Sequence, residues 1–339
     1  MQSRTALAWI ILSLTLVVLF LLNVSLGSVS IPVHDIISIL TGTPSGEASW
    51  KEIIWDFRMP KAITCILAGG ALSLAGLQMQ TLFRNPLAGP DVLGLTSGAS
   101  LAVSLVLMGQ TTFGLAAGFQ NQWTVVTAAC LGCAVVGLLM FLVARKVQDN
   151  VSLLIVGLMV GAGTASVVSV LQYLSRADDM QVYLIWTFGS LGSLSWGEIK
   201  VLTALLIIGT IVALRTMKAL NAWLLGDLYA RSLGIDLRQS RLLIIVSTSL
   251  LTGGVTAFCG PIAFVGLAVP HLVRIIIRTN DHKRAIPAVV IGGGILVLVC
   301  DILARLPGAT HVLPINAITA LIGAPVVIWV VVRNRRLRM

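Results

Sequence analysis

Charge is scarce in this chain. Of its 339 residues only 11% are charged, against 57% hydrophobic. A soluble domain covers its surface with roughly 25% charged residues. The composition therefore excludes an ordinary soluble protein and points to lipid as the surrounding medium. Acids are scarcer still, with 13 Asp and Glu in all. No G-x-x-x-x-G-K-[ST] phosphate loop occurs, and there is no Gly-Lys pair anywhere. The chain cannot bind ATP in that way by itself. No zinc motif, nucleophile elbow or pair of catalytic carboxylates stands on its loops. The sequence thus offers no catalytic residue, no metal site and no cofactor site.

Net charge is +10, yet no basic run is interleaved with aromatics, so nucleic acid is not an expected partner. Membrane proteins collect Lys and Arg on cytoplasmic loops and acquire a high pI in that way. Five cysteines (Cys65, Cys130, Cys133, Cys259 and Cys300) all fall inside apolar runs. Cys130 and Cys133 form a lone C-x-x-C with no second pair and no nearby His. They read as small buried hydrophobes.

What is there is a series of apolar segments near the 20-residue length that spans a bilayer core. Ten are expected, at about 6–26, 61–82, 92–109, 122–144, 151–173, 198–216, 241–258, 262–278, 286–305 and 314–332. The eighth is short and carries Pro270 and His271. The first follows Arg4 but is longer than a signal-peptide core and lacks an A-x-A site, so it is expected to remain.

With the N-terminus in the cytoplasm, most of the 23 basic residues fall on one side. That side holds Arg4, Arg84, Arg145, Lys146, Arg215, Lys218, Arg231, Arg238, Arg241, Arg274, Arg278, Lys283, Arg284, Arg333, Arg335, Arg336 and Arg338. The other keeps Lys51, Arg58, Lys61, Arg176, Lys200 and Arg305, with most of the loop acids. The asymmetry predicts both termini in the cytoplasm. Segment 28–57 is too polar to span. Its "PVHDIISIL" predicts a short surface helix, and "WTFGSLGSLSW" (186–196) predicts a short broken helix at the outer interface.

Small residues recur at close-packing spacing: Gly157, Gly161 and Ala165 in the fifth span, Gly292, Gly293 and Gly294 in the ninth. They let helix backbones approach in lipid. Thr164, Ser166 and Ser169 give the fifth span a face polar enough to line a passage. Ionisable groups within membrane spans are costly and few. Asp301, one turn before Arg305, is expected to pair with it at i, i+4. His271 and His311 read as core or interface histidines rather than proton relays. A secondary carrier driven by an ion gradient usually needs a buried carboxylate to load and unload, so that alternative has little to rest on.

The break "FRNPLAGPDVLG" (83–94) has its own local logic. Pro86 pushes Asn85 out of helical geometry and ends the second span. Gly89 is expected to relax the turn. Pro90 suits a first helical position, and Asp91 then faces the positive end of the third span.

The loops are more specific. "RMPKAITCILAGGALSLAGLQMQTLFRNPLAGPDVLG" (58–94), "GDLYARSLGI" (226–235), "GPIAFVGLAVPHLVR" (260–274), "DILAR" (301–305) and "LPINAITALIGAPVVIW" (313–329) stand in order along nearly the whole chain. Together they resemble the membrane permeases of ABC importers for iron–siderophores, haem and cobalamin. The resemblance implies an all-α, polytopic type II importer permease in the bacterial inner membrane. It implies a single transmembrane domain over 1–339, with a cytoplasmic coupling segment at 217–240. The expected partners are a second copy, two cytoplasmic ATPase subunits, an extracytoplasmic substrate-binding protein and the bilayer.

At matching positions it implies binding-protein docking by Arg58, Lys61 and Arg305. It implies ATPase coupling through Gly226, Asp227, Ala230, Arg231, Ser232, Leu233 and Gly234. A cytoplasmic gate is expected at Asn85, Leu87, Asn150 and Val151. The chain departs from the family pattern at Lys61 (usually Arg), Asp227 (usually Glu), Leu228, Tyr229 and Asn316 (usually Gly). Asn316, near the outer mouth, is expected either to touch substrate or to hydrogen-bond a neighbouring helix.

Overall fold

The computed structural model describes all residues except 1, 28, 30, 43–47, 114–120, 148, 306–311 and 336–339. His311, Arg336 and Arg338 lie outside the described residues. No strand occurs among the described ones. The chain forms α1 (Gln2–Ser25), α2 (Val33–Thr41), α3 (Ala48–Glu52), a π turn (Ile53–Arg58), α4 (Met59–Leu82), a 3-10 turn (Pro90–Leu93) and α5 (Leu95–Phe113). Then come α6 (Gln122–Lys146), α7 (Asn150–Leu174), α8 (Ala177–Thr187), α9 (Trp196–Arg215), α10 (Met217–Trp223) and α11 (Asp227–Ser232). Helices α12 (Leu237–Cys259), α13 (Val265–Ile277), α14 (His282–Ala304) and α15 (Ile315–Arg335) complete it.

Among the described residues, seven stretches are long and apolar enough to cross a membrane, and three shorter apolar helices accompany them. These match the ten expected spans one for one. The short eighth span is α13, whose 13 residues rise about 20 Å at 1.5 Å each. Irregular residues 260–264, with Gly260 and Phe264 at positive φ, join it to α12. The helix in 28–57 is present as α2. The expected helix at 186–196 lies earlier: α8 occupies the acidic stretch before it, and 188–195 is a turn. The reason is local. Ser195 and Glu198 form a reciprocal capping box that starts α9, so the Gly and Ser residues ahead of it are left as connection.

Helix α4 is the axis of the bundle, buried along most of its length and packed on α9, α12, α13 and α14. Close approach explains its composition. A Cβ on Gly69 would overlap the Gly293 carbonyl, and one on Gly293 would overlap the Gly69 carbonyl, so α4 and α14 cross backbone to backbone there. Helix α7 is the opposite case. It packs mainly on α5 and the 3-10 turn, and leaves most of its length exposed, with Tyr173 at 89%. Of the cysteines, Cys65, Cys133, Cys259 and Cys300 are buried and Cys130 is half-buried, so they pack as small hydrophobes.

Two cores lie toward opposite ends. Val24, Ile31, Ile36, Ile39, Ile54 and Ala62 form a small cluster at the start of α4. Met79, Leu82, Ala88, Leu93, Leu220, Trp223, Ala230 and Ile244 belong to a larger one at its finish. These are called below the Asp301 end and the Trp223 end.

Candidate functional site

Polar chemistry concentrates at the same two ends. At the first, the Asp301 side chain is only 4% exposed and receives three donors. Lys61 Nζ stands 2.8 Å from one carboxylate oxygen. Arg305 and the Asn23 amide donate to the other at 2.7 and 2.9 Å. The i, i+4 pairing with Arg305 was legible in the sequence; Lys61 and Asn23 were not, because they arrive from α4 and α1. Arg58 is buried and turned inward. It donates to the carbonyls of Val24 and Ser25 at 2.9 and 2.7 Å, and to that of Val29. Arg305 adds a bond to Leu26 O at 3.0 Å. The last carbonyls of a helix lack intrahelical donors and carry the negative end of its dipole. Two guanidinium groups therefore hold the end of α1. All three residues expected to dock a binding protein lie at this end, Lys61 and Arg305 on the Asp301 carboxylate and Arg58 on the carbonyls at the end of α1.

At the Trp223 end the break at 83–94 is folded as a tight reversal. Asn85 leaves the helix and its Oδ1 accepts the Leu87 N–H at 2.9 Å, an Asx turn. Arg84, not Gly89, takes the left-handed conformation, with φ 47°. Gly89 is extended, and its missing side chain matters because Leu267 packs against that spot. Asp91 accepts from Thr96 Oγ1 at 3.1 Å. Gly157 of α7 gives room for the Val92 carbonyl, so the small-residue stripe of α7 seats the turn. His271 Nε2 donates to Pro86 O at 2.8 Å. This side chain, expected as a core or interface histidine, fastens α13 to the loop.

The second expected gate loop reaches the same place. The Asn150 amide donates to Leu82 O at 2.7 Å, closing the last turn of α4. Val151 beside it and Leu87 on the break are both exposed. Asp149 caps α7 through Ser152, which holds its carboxyl below the ordinary value.

The 217–240 segment carries α10 and α11. Gly226 precedes α11 with φ 111°, and Asp227 opens its first turn. Asp227 pairs with Arg84 of the break, both about half exposed. Ala230 is buried in the same core as Ala88 and Leu93. Leu228, 86% exposed, stands with Leu225, Tyr229 and Leu233 on the outward side. Helix α11 is thus tied inward to the break by a charge pair and a shared core, and is apolar outward. Arg231 and Gly234 are exposed, and Ser232 Oγ donates to Tyr229 O at 2.8 Å.

Asn316 has neighbours in its own chain. Its Oδ1 accepts the Ala263 N–H at 3.1 Å, and its amide donates to Thr187 O at 3.5 Å. Of the two roles open to it, the helix-to-loop bond is the one found here. Deeper in the bundle, Gln78 Oε1 accepts from Ser247 at 3.0 Å, and Gln80 donates to Leu267 O at 3.1 Å. The buried Gln78 and Gln80 side chains of α4 thus find their partners within the bundle, as a lipid environment favours.

Fold and site together define an all-helical, multi-pass membrane protein with a buried charge cluster at one end and a half-exposed ion pair at the other. Residues 15–333 match the model of the FecCD transport family, and the chain belongs to that family. It is 33% identical to the hemin transport system permease protein HmuU of Yersinia pestis, over 99% of this chain and 98% of that one. It is 32% identical to the vitamin B12 import system permease protein BtuC of Klebsiella pneumoniae, over 99% and 96%. A solved inward-facing structure assigned to the metal-chelate type of ABC transporter superposes with a TM-score of 0.81 at 27% identity, covering 93% of this chain and 95% of that one.

Proposed function

We propose that this chain is the permease of an ATP-driven importer for a large metal chelate, in the class of iron–siderophores, haem and cobalamin. The observation that carries the proposal is α11: a short helix, apolar on its outward side, keyed on its inward side to the break at 83–94. In this reading a cytoplasmic ATPase covers Leu228 and its neighbours. Its ATP-driven movement is passed to the break through Asp227, Arg84 and the core around Ala230. Gly226 and Gly234 bound the coupling element, and Arg231, Ser232 and Leu233 complete it. Asn85, Leu87, Asn150 and Val151 then gate the cytoplasmic mouth. ATP binding and hydrolysis act as a population shift between pore states.

The exposed face of α7, with Ser166, Ser169 and Tyr173, supports a pore completed by a second copy, in a single domain over 1–339. Both termini are assigned to the cytoplasm of the inner membrane on the basic-residue asymmetry. Arg58, Lys61 and Arg305 leave a net positive charge after Asp301 is neutralised, which supports steering of an acidic binding protein to that end. The test is reconstitution. Vesicles carrying the chain alone show no uptake of haem, cobalamin or ferric siderophore, and adding the ATPase and the binding protein gives ATP-dependent uptake of one of them. Uptake driven by an ion gradient without the ATPase overturns the proposal in favour of a secondary carrier.

A further inference from the structure

The inward side of α11 borders a cavity of about 300 Å³ whose arginines from α6 and α12 the transport reading does not use. Its lining includes Arg145, Arg231, Arg238 and Arg241, with Asp227 and Asp236 as its acids. The four arginines come from the end of α6, from α11 and from the start of α12. The two from α12 are held in place. Arg238 donates to Arg145 O at 3.0 Å and Arg241 to Val147 O at 2.9 Å. Both carboxylates are engaged: Asp227 with Arg84, and Asp236 with the Arg238 and Gln239 N–H groups as the cap of α12. The lining therefore carries a formal excess of positive charge. Guanidinium forks match phosphate oxygens in geometry and are more weakly hydrated than an ammonium.

The surface leading to this cavity bears on which anion would fit it. On α6, Leu131, Val135, Leu138 and Leu142 are all exposed. Their spacing of four, three and four puts them on one helix face, and Arg145 follows three residues later on the same face. An apolar stripe thus runs along a membrane-spanning helix and ends at an arginine-lined cavity at its terminus. We infer that this cavity binds the phosphate headgroup of an anionic phospholipid whose acyl chain lies along the α6 stripe. Basic pockets between membrane helices on the cytoplasmic side are a recurrent means of holding such headgroups. The outward residues of α11 lie on the other side of that helix, so the lipid site and the apolar face do not compete for side chains.

The experiment uses the full chain in detergent. The midpoint of thermal unfolding is followed while short-chain phosphatidylglycerol, phosphatidylcholine or inorganic phosphate is added at matched concentration. The expected result is a saturable rise with phosphatidylglycerol alone. In Arg145→Gln/Arg238→Gln, half-saturation moves to at least about tenfold higher lipid. Equal rises with phosphatidylcholine, or an unshifted half-saturation in the double variant, overturn the inference. An equal rise with inorganic phosphate overturns the lipid assignment in favour of a free anion. A second measurement needs no variant: a phosphatidylglycerol carrying a photoreactive headgroup is expected to label residues 144–147 or 235–241 of the unaltered chain. Labelling confined to other segments overturns it too.

Discussion

The two ends of the bundle use the same chemistry, an arginine facing an aspartate, with opposite degrees of burial. Asp301 is closed over by Lys61, Arg305 and Asn23, and its side chain is 4% exposed. Asp227 meets Arg84 with both side chains about half exposed. In a low-dielectric site an ion pair is held by the cost of leaving either charge alone. At an exposed site water screens both charges, and the pair is worth little. The first arrangement fixes three elements, α1, α4 and α14, to one another. The second can open and close at small cost. The proposed function calls for both, a cluster that holds its helices together and a joint that responds to a partner.

The contrast can be broken at its stronger side first. Asp301→Ala leaves Lys61 and Arg305 without their carboxylate beside Arg58. Loss of one partner from a buried pair costs about 3–5 kcal/mol. Reversible unfolding in mixed detergent is expected to show a destabilisation of that size, and one below about 1 kcal/mol would mean the cluster is solvated.

At the weaker side, Arg84→Asp is expected to change the same unfolding free energy by less than about 1 kcal/mol, the range of exposed pairs. Its effect is expected on ATP-dependent uptake instead, with recovery in the swap Arg84→Asp/Asp227→Arg. A swap that stays as inactive as the single variant would remove the pair from the coupling path.

The smallest effect concerns pH. Asp281 caps α14 at the Trp223 end, and the Lys283 N–H and the Asn221 amide hold its carboxyl below the ordinary 3.8. A depressed folded value means the stabilisation is present above the unfolded value and is lost as pH falls through the folded one. The unfolding midpoints of the parent and of Asp281→Ala are therefore expected to differ at neutral pH and to converge below pH about 3.8. A gap that persists unchanged in acid would show that the cap acts through shape rather than charge.

The spans were legible because hydropathy is a local property. Lipid rewards every apolar residue in a run of about 20 wherever that run packs. The sites were legible in part. The i, i+4 geometry of Asp301 and Arg305 is set by one helix, so the sequence reveals it. The Arg58 interaction is different. It was expected to dock a binding protein, and its guanidinium here donates to the open carbonyls at the end of α1, contacts that no local pattern reveals. Gly89 was read as a flexible turn residue, whereas the strained position is Arg84, since the loop's path is set by α7 and α13 rather than by its own residues.

By itself the sequence determined the membrane setting, the ten spans, the asymmetry of basic charge and the family. All of these follow from composition, periodicity and short contiguous motifs. Only the tertiary structure decided that Lys61 and Asn23 meet Asp301, that His271 holds Pro86, that Asp227 meets Arg84, and that four arginines share one cavity. Those contacts join residues far apart in the chain. Which distant side chains meet depends on where helix backbones can touch, and that depends on positions such as Gly69 and Gly293 that carry no charge at all.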